Sequence, residues 1–395
     1  MHSMILIGGG AAGLFAAICY KKKHPLSSVI LLEKTNQLLS KVRISGGGRC
    51  NVTHACFEPQ SLIKNYPRGA KELLGPFHYF QPKDMVDWLE SRGVQLKTES
   101  DGRMFPVSDS SETIVECLLG AALQAGVEIR KLQKIRSIQK VGEEFEVALD
   151  QETLRAKKLL LATGSSPWGH EIAKQFGHAL VPSVPSLFTF NVPTSPLLDL
   201  AGIAVPKATL TLQGLELQQT GPLLLTHWGF SGPAALKLSA WGARALFHCD
   251  YKATLLINWI ATPSWETLYA SFLLAKKEHP LKSLPPLLPG QLFLRLLQAV
   301  ALDPKEPMGK ISNKNLETLA KKLSADPYAI DGKTTHKQEF VTAGGVDLKE
   351  IDCKTMQSRL VKNLFFAGEI LNIDGVTGGF NFQNAWTSAY LAANA

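Results

Sequence analysis

Hydrophobic residues near the start of the chain follow first the pattern of a strand and then that of a helix. Residues 4–7 are a continuous run of strand-forming apolar residues, and apolar positions recur at helical spacing over 14–22. Residues 28–32 are apolar after Ser28 and predict a second strand. A helix between two strands is typical of a βαβ unit, so the pattern predicts an α/β fold.

The rest of the pattern divides the chain into regions of different character. Helices are predicted at 82–92 and 111–125, and strands at 94–97, 127–158, 159–164 and 364–369. Between them, 187–251 contains short alternating segments broken by Gly and Pro, which predict a β-rich insert. Two amphipathic helices, 291–302 and 315–323, are predicted further along the chain and indicate a small helical lobe nested in the insert. A length of 395 residues is consistent with two or three domains.

A glycine-rich turn joins the first strand to the first helix. Gly8, Gly10 and Gly13 have the spacing that permits a tight turn, lets a pyrophosphate approach the backbone, and lets the helix pack closely on the strand. The pyrophosphate would lie at the helix N-terminus, where the helix dipole favours negative charge. Glu33 stands at the end of the second strand. A carboxylate at that position accepts hydrogen bonds from ribose hydroxyls and repels a 2′-phosphate. The motif therefore predicts a site for FAD or NAD rather than NADP.

Two further glycine-rich segments lie outside the first motif. Residues 34–53 contain the run Lys-Val-Arg-Ile-Ser-Gly-Gly-Gly-Arg-Cys-Asn at 41–51 and predict a long loop that exposes its backbone, because three consecutive glycines suit neither a helix interior nor a strand. The strand 364–369 ends in Gly368-Glu369. Glu369 supplies a second carboxylate, which can accept a hydrogen bond from a ligand hydroxyl. Gly378-Gly379 then precedes the predicted terminal helix, whose N-terminus would stabilise an anion.

Charge and cysteine content add little to this assignment. The net charge is +8, and 276–337 holds 11 Lys and Arg against 6 Asp and Glu. That surplus is consistent with a solvated basic face or with a polyanionic partner such as RNA. The six cysteines include no C-x-x-C pair, so neither a metal site nor a disulfide framework is predicted. No secretory signal and no membrane span is predicted, and we expect a cytoplasmic protein.

Four motifs together resemble the BaiN/YhiN-like flavoproteins: GGGAAG with Glu33, SGGGRCN, the ATG strand end at Gly164, and FFAGE with DGVTGGFNFQNA near the C-terminus. The resemblance covers nearly the whole chain. It implies a Rossmann-like FAD-binding domain of the two-dinucleotide-binding type, at 1–189 and 341–395. It also implies a small β-barrel insert, at 190–258 and 327–340, and a helical lobe nested in that insert, at 259–326.

The resemblance also implies which residues bind FAD. They are Gly8, Gly10, Ala11, Ala12, Gly13, Glu33, Lys34, Lys41, Ser45, Gly46, Gly47, Gly48, Arg49, Cys50, Asn51, Thr163, Gly164, Gly368, Glu369, Gly378, Gly379, Asn381 and Gln383. One stretch departs from the family, because 165–170 is shorter than the usual Gly/Thr-rich segment.

Members of this family reduce enone-type C=C bonds in steroid-like acids, oxidise small amino ketones, or reduce uridine in ribosomal RNA. The resemblance therefore implies an FAD-dependent oxidoreductase, and we expect NAD(P)H-driven reduction of a carbonyl-conjugated C=C bond. An amino-ketone oxidase and a flavin-bearing binding protein without turnover are the alternatives. A second GxGxxG is absent from the sequence, so NAD(P)H would enter the substrate's cleft transiently. Cys50 and His227 are candidate proton donors, and no protein partner is inferred.

Overall fold

The computed structural model describes residues 1–275, 281, 288–334 and 341–395. The chain forms two compact units. Unit 1 consists of Met1–Val184 and Lys337–Ala395, and unit 2 of Pro185–His336.

The strands of the described residues are β1 (His2–Ile7), β2 (Val29–Leu32), β3 (Thr53–His54), β4 (Leu96–Thr98), β5 (Arg103–Pro106), β6 (Glu128–Arg130), β7 (Ser137–Val141), β8 (Glu144–Ala148), β9 (Thr153–Leu161), β10 (Leu180–Ser186), β11 (Thr189–Asn191), β12 (Ala204–Leu212), β13 (Leu217–Thr226), β14 (Gly229–Ser231), β15 (Lys252–Asn258), β16 (Asp326–Asp331), β17 (Lys333–Thr334), β18 (Val341–Val346), β19 (Ile351–Asp352), β20 (Gln357–Ser358) and β21 (Leu364–Phe366).

The helices are α1 (Ala11–Lys23), α2 (Ser40–Gly48), α3 (Pro59–Leu62), α4 (Ala70–Phe77), α5 (Pro82–Glu90), α6 (Ser111–Gln124), α7 (Pro167–Gln175), α8 (Pro233–His248), α9 (Trp265–Ala275), α10 (Gly290–Ala299), α11 (Asn313–Ser324) and α12 (Phe380–Asn394).

A parallel sheet forms the centre of unit 1 and confirms the predicted α/β class. Its strands lie in the order β6-β2-β1-β9-β21, and each neighbouring pair is parallel. The central strand β1 is buried from Met4 to Ile7, as expected for a strand with neighbours on both sides. The predicted 127–158 strands are also present, since β7 and β8 extend β9 as an antiparallel meander.

Helices α1 and α12 bring the two ends of the chain together in unit 1. Phe15 of α1 is fully buried and packs edge-on against Trp386 of α12, with ring centroids 5.5 Å apart. The same ring contacts Phe80 and Trp88 at 5.5 and 5.2 Å. Burying aromatic rings of this size is a major contribution to stability, so this cluster holds the C-terminal helix to the first βαβ unit.

Unit 2 is built on an antiparallel sheet, in the order β16-β15-β12-β13-β14-β11-β17. The sequence-based description of 187–251 as β-rich is wrong over α8, Pro233–His248, which packs against β12 and β13. Its buried residues Ala234, Ala235, Leu238 and Leu246 recur at helical rather than strand spacing. Pro233 is at the start of the helix, where a missing N–H costs nothing.

One hydrophobic core serves both the sheet and the helices of unit 2. Phe190 of β11, Ile257 of β15 and Leu319 of α11 all belong to it, so the predicted helical segment does not have a core of its own. Phe188 belongs to the same core. The helices α10 and α11 confirm the two amphipathic helices expected at 291–302 and 315–323.

A buried histidine ties the end of α7 to the last antiparallel strands of unit 1. His178 Nδ1 lies 3.0 Å from Glu350 Oε2, and Nε2 lies 2.8 Å from the Ser358 hydroxyl. That hydroxyl accepts hydrogen bonds from the backbone N–H groups of Leu360 and Val361, so its proton points to Nε2. The ring is therefore neutral, with its proton on Nδ1 facing the carboxylate.

Burial lowers the pKa of His178 below its usual 6.5, and Glu350 opposes the shift. Because the unfolded chain takes up this proton first, stability should fall as the pH drops below about 6.5 and should not depend on this group above that pH. We expect His178→Gln to be about 1–3 kcal/mol less stable than wild type at pH 7.5, because the hydrogen bonds of the histidine are broken. Between pH 7.5 and pH 5.5 the variant should then lose less stability than wild type does, because it lacks the titrating ring. Urea unfolding at the two pH values measures both effects, and parallel losses would contradict the assignment.

Candidate functional site

The turn after β1 has the geometry that the glycine spacing predicts. A Cβ added to Gly8 would lie 2.4 Å from the Ala162 carbonyl oxygen, and one added to Gly13 would lie 1.9 Å from the Gly8 carbonyl oxygen. Both contacts are too short for any side chain. A Cβ on Gly10, in contrast, would meet no heavy atom within 4 Å. Gly10 thus faces open space at the start of α1.

The N-terminus of α1 lies at this open position. Ala11 and Ala12 are the first residues of the helix, and no side chain caps its start. Unpaired N–H groups and the helix dipole make such an end favourable for an anion. The predicted phosphate position is therefore available in the fold.

Glu33 stands at the end of β2 with its carboxylate held by the neighbouring backbone. Gly9 N–H donates to Oε2 at 2.7 Å, and the N–H and hydroxyl of Thr35 donate to Oε1 at 2.7 and 2.8 Å. A carboxylate offers about four acceptor positions, so capacity remains for the hydroxyls of a ligand. Lys34 is exposed beside it.

The second glycine loop interrupts α2. Ser45, Gly46 and Gly47 have non-helical backbone angles, with φ of 60° at Gly46 and 69° at Gly47. A Cβ on Gly47 or Gly48 would meet no heavy atom within 4 Å. The prediction of a backbone-exposing loop is confirmed at these residues, although 40–44, before the kink, are helical.

The side chains after this loop are directed into the protein. Arg49 is bound to Glu99 at 2.7 Å, and its guanidinium carbon lies 4.0 Å from the ring centre of Phe105. Cys50 is fully buried, and burial raises its pKa to about 12. A buried thiol with a raised pKa stays protonated at neutral pH, and Cys50 as a proton donor remains a prediction. The sequence could not show this burial, because loop glycines do not indicate which way the next side chain points.

Three predicted segments meet at the carboxyl edge of the sheet. Gly164 follows β9, and a Cβ on it would lie 3.6 Å from Glu369 Oε2. Gly368 lies against α1, with an added Cβ 3.0 Å from that of Ala12. Glu369 also forms an ion pair with Lys41 of α2. The structure therefore brings together residues that are more than 300 positions apart in the sequence.

The loop before α12 completes this region. Gly379 has φ of 92°, and a Cβ on it would lie 2.5 Å from the Thr53 carbonyl oxygen. Its N–H donates to the Asn51 amide oxygen at 2.9 Å, with the amide oriented by its hydrogen-bonding neighbours. The adjoining Gly378, with φ of 133°, lies near His54, whose ring stacks on Phe380 at 4.7 Å. The start of α12 is thereby held against β3.

Two predicted ligand residues in α12 have structural partners instead. The buried Gln383 accepts a hydrogen bond from Thr53 at 2.7 Å and donates to Thr387 at 3.1 Å. Both polar atoms of the Asn381 amide bind the backbone of Gly375 at 2.9 Å. Their side chains fix the helix and the loop, and their role towards a ligand remains a prediction.

A buried ion pair that the sequence analysis missed supports the same loop. Arg68 donates to Asp374 through Nε at 2.5 Å and also through its Nη2, and the Asp374 side chain is fully buried. The two residues are 306 positions apart, and no local pattern links them. Breaking one half of such a pair is costly, because the other charge stays buried.

His227 belongs to unit 2, whereas the segments described above belong to unit 1. It is exposed in the turn between β13 and β14 of unit 2, next to Trp228, which is 60% exposed. Among the described residues no cluster could hold a metal ion, and no helix is long and apolar enough to cross a membrane.

The parallel sheet of unit 1, with α1 starting at the carboxyl end of β1, defines an α/β protein of the Rossmann type. The model of the HI0933-like protein Rossmann domain matches residues 2–395, and the chain belongs to that family. It is accordingly an oxidoreductase of the FAD-dependent class.

Two curated relatives match over almost the full length. The ribosomal RNA dihydrouridine synthase of Escherichia coli is 31% identical over 98% of this chain and 96% of its own. The 3-dehydro-bile acid delta(4,6)-reductase of Clostridium scindens is 25% identical over 100% of this chain and 99% of its own.

Solved structures with the same fold are more distant in sequence. The 3-ketosteroid delta1-dehydrogenase from Sterolibacterium denitrificans, solved with 1,4-androstadiene-3,17-dione, has a TM-score of 0.52 and 13% identity, covering 100% of this chain and 98% of its own. The 3-ketosteroid-delta4-(5alpha)-dehydrogenase from Rhodococcus jostii has a TM-score of 0.51 and 14% identity, covering 99% and 96%. At this identity the likeness supports the fold.

The two glycines of the first turn should respond differently to substitution. Gly10→Val places its side chain in open space, so we expect stability close to wild type but nucleotide binding weaker by roughly 100-fold or more, because charge-assisted hydrogen bonds to phosphate are blocked. Gly13→Ala forces a clash with the Gly8 carbonyl and should cost about 1–3 kcal/mol of folding stability. Flavin occupancy of the purified chains and urea unfolding separate the two effects. Full flavin occupancy in Gly10→Val would contradict the site.

Proposed function

We propose that this chain binds FAD and, with NAD(P)H as electron donor, reduces the C5=C6 bond of a uracil base in ribosomal RNA. The observation that carries the proposal is the 31% identity over nearly the full length to a protein named ribosomal RNA dihydrouridine synthase. The name of the second relative also describes a C=C reduction, on a bile acid. Uracil contains a C=C bond conjugated with a carbonyl group, which is the bond type that the family resemblance implies.

The residues present fit FAD. Glu33 would bind the ribose hydroxyls, and the N-terminus of α1 would bind the pyrophosphate. The open backbone at Gly47 and Gly48 and the Lys41–Glu369 pair would lie along the rest of the cofactor. Bound FAD supplies hydride transfer to and from its N5 atom. The protein's contribution is to hold and orient the reacting groups.

The start of α12 would stabilise negative charge on the bound cofactor. Its helix dipole favours negative charge near Gly379, and no side chain caps the helix there. An anionic edge of the reduced cofactor would be stabilised at that position. Cys50 and His227 remain the candidate proton donors, of which Cys50 is fully buried and His227 is exposed in unit 2.

The charge of unit 2 bears on the RNA part of the proposal. Lys276, Lys277, Lys282 and Lys337 of the basic segment lie outside the described residues. Three of its cations are paired within unit 2, namely Arg295 with Asp199, Lys321 with Glu317 and Lys322 with Asp326. Three exposed lysines of the segment, Lys305, Lys310 and Lys314, form no ion pair with another described residue. These three, the 305–314 lysines, are the best described candidates for phosphate contacts.

The activity is tested directly with the purified chain and with cells that lack it. Anaerobic NADH or NADPH should bleach the bound flavin, and ribosomal RNA from the deletion strain should lose dihydrouridine that the wild-type gene restores. A Gly10→Val gene is the matched control and should not restore it. If neither donor bleaches the flavin, the nicotinamide-driven reductase is wrong. Peroxide release with an amino ketone would favour the oxidase instead.

RNA binding is tested through its salt dependence. Replacing the 305–314 lysines with Gln should reduce the slope of log affinity against log salt concentration by about 0.7–0.9 for each phosphate that these lysines neutralise. Lys321→Gln is the control, because that lysine is already paired with Glu317 2.6 Å away. An equal change in both variants, or none in the triple variant, would remove these lysines from the RNA interface.

A further inference from the structure

A polar groove lies on the solvent-facing side of the unit 2 sheet. Along β12 the core takes Leu210 and Leu212, while Thr209 and Thr211 alternate with them and belong to the other face. These threonines and their neighbours on β13 and β15 line a groove of about 490 Å³. That volume is in the range of pockets that hold small ligands, about 300–1,000 Å³. The groove consists of unit 2 residues and is not part of the site described in unit 1.

Hydrogen bonds hold the floor and one wall of the groove. Thr209 and Thr220 are paired across β12 and β13, and their hydroxyl oxygens are 2.8 Å apart. Asn258 lies opposite Thr209 on β15 and holds the wall. Its amide donates to the Thr262 carbonyl at 2.7 Å and accepts from the Thr262 N–H at 3.2 Å. The shape of the groove is therefore set by the fold of unit 2.

Three polar side chains of the groove have no partner among the described residues. Thr211 and Gln218 face each other across β12 and β13, yet neither side chain forms a hydrogen bond with another described residue. Lys207 is exposed and likewise forms no ion pair within the described chain. It lies in the bulge that interrupts β12 between Val205 and Ala208, and such bulges re-aim a side chain. The groove thus offers a cation, a hydroxyl and an amide to a ligand.

The lining of the groove favours a ligand that combines negative charge with hydroxyl groups. Among the described residues that line it, Lys207 is the one charged side chain, and none has a carboxylate or an aromatic ring. An ammonium group suits a phosphate, whereas a hydroxyl and an amide both donate and accept and so suit a ribose hydroxyl. The sugar-phosphate backbone of RNA carries both groups, and proteins contact it through Lys, Thr and Gln side chains.

We propose that this groove binds the sugar-phosphate backbone of the RNA substrate, with Lys207 on a phosphate and Thr211 and Gln218 on a ribose 2′-hydroxyl. This inference rests on the proposed function, because it takes RNA as the substrate. A contact to the 2′-hydroxyl distinguishes RNA from DNA without reading sequence. Lys207 lies outside the basic segment 276–337, so the charge pattern of the sequence did not indicate it.

The first test compares RNA and DNA binding by the full chain with its flavin. The probes are oligouridine of about 12 nucleotides, a length that single-strand-binding sites accommodate, and its 2′-deoxy counterpart. Thr211→Val keeps the branched shape and removes the hydroxyl. The Kd of the RNA should therefore rise by roughly 2–10-fold, while the Kd of the DNA stays within about twofold. Thr153→Val, at an exposed position of β9 in unit 1, is the control and should change neither Kd.

The second test changes charge in the groove. Lys207→Gln should weaken RNA and DNA binding alike and reduce the slope of log affinity against log salt concentration by about 0.7, the value for one phosphate of a single strand. Gln218→Glu places a negative charge beside the backbone and should raise the Kd of the RNA by roughly 10-fold or more. Gln291→Glu adds the same charge at an exposed position of α10 and should change that Kd by less than about twofold.

Four results would each overturn the groove as an RNA site. They are a wild-type chain that binds the RNA probe no better than the DNA probe, an unchanged salt slope in Lys207→Gln, equal loss of RNA and DNA affinity in Thr211→Val, and equal effects of Gln218→Glu and Gln291→Glu. The Tm of each variant shows whether it is folded, and Lys207→Gln decides alone if the strand variants are destabilised. A wild-type chain that also fails to bind ribosomal RNA would instead refute the proposed function.

Discussion

The close approach of α1 to the turn after β1 is the constraint on which the site depends. No side chain fits at Gly13, where a Cβ would lie 1.9 Å from the Gly8 carbonyl oxygen, or at Gly8, against Ala162. Because these positions lack side chains, the helix starts directly above the carboxyl edge of the sheet. The open position at Gly10 and the uncapped helix N-terminus follow from that placement.

The C-terminal segment completes the region through contacts that are distant in sequence. The Arg68–Asp374 pair, the Thr53–Gln383 hydrogen bond and the donation from the Trp386 indole to the Val52 carbonyl are all buried or partly buried. Each would cost free energy if one partner were removed, since the other would stay desolvated. The last fifty residues therefore serve both the core of unit 1 and the geometry of its ligand-facing loops.

Unit 2 shows how a buried polar cluster organises a mixed core. Asp326 is fully buried and accepts hydrogen bonds from the Trp259 indole at 2.9 Å and the Tyr328 hydroxyl at 2.6 Å. Lys322 of α11 pairs with the same carboxylate. Strands and helix are thereby joined by one acceptor, which explains why the helical segment shares the core of the sheet. Lys322, one of the basic residues of 276–337, therefore contributes to the fold of unit 2.

The sequence alone determined the features that depend on local spacing. The βαβ unit, the three turn glycines, Glu33 at the end of β2 and the exposed backbone at Gly47 could be predicted, because backbone sterics and periodicity act over a few residues. Only the tertiary structure decided where side chains point and which distant residues meet. It buried Cys50, turned Gln383 into the core, paired Arg68 with Asp374, and placed His170 beside Glu369. Those outcomes depend on packing between elements hundreds of residues apart, for which a single sequence contains no local signal.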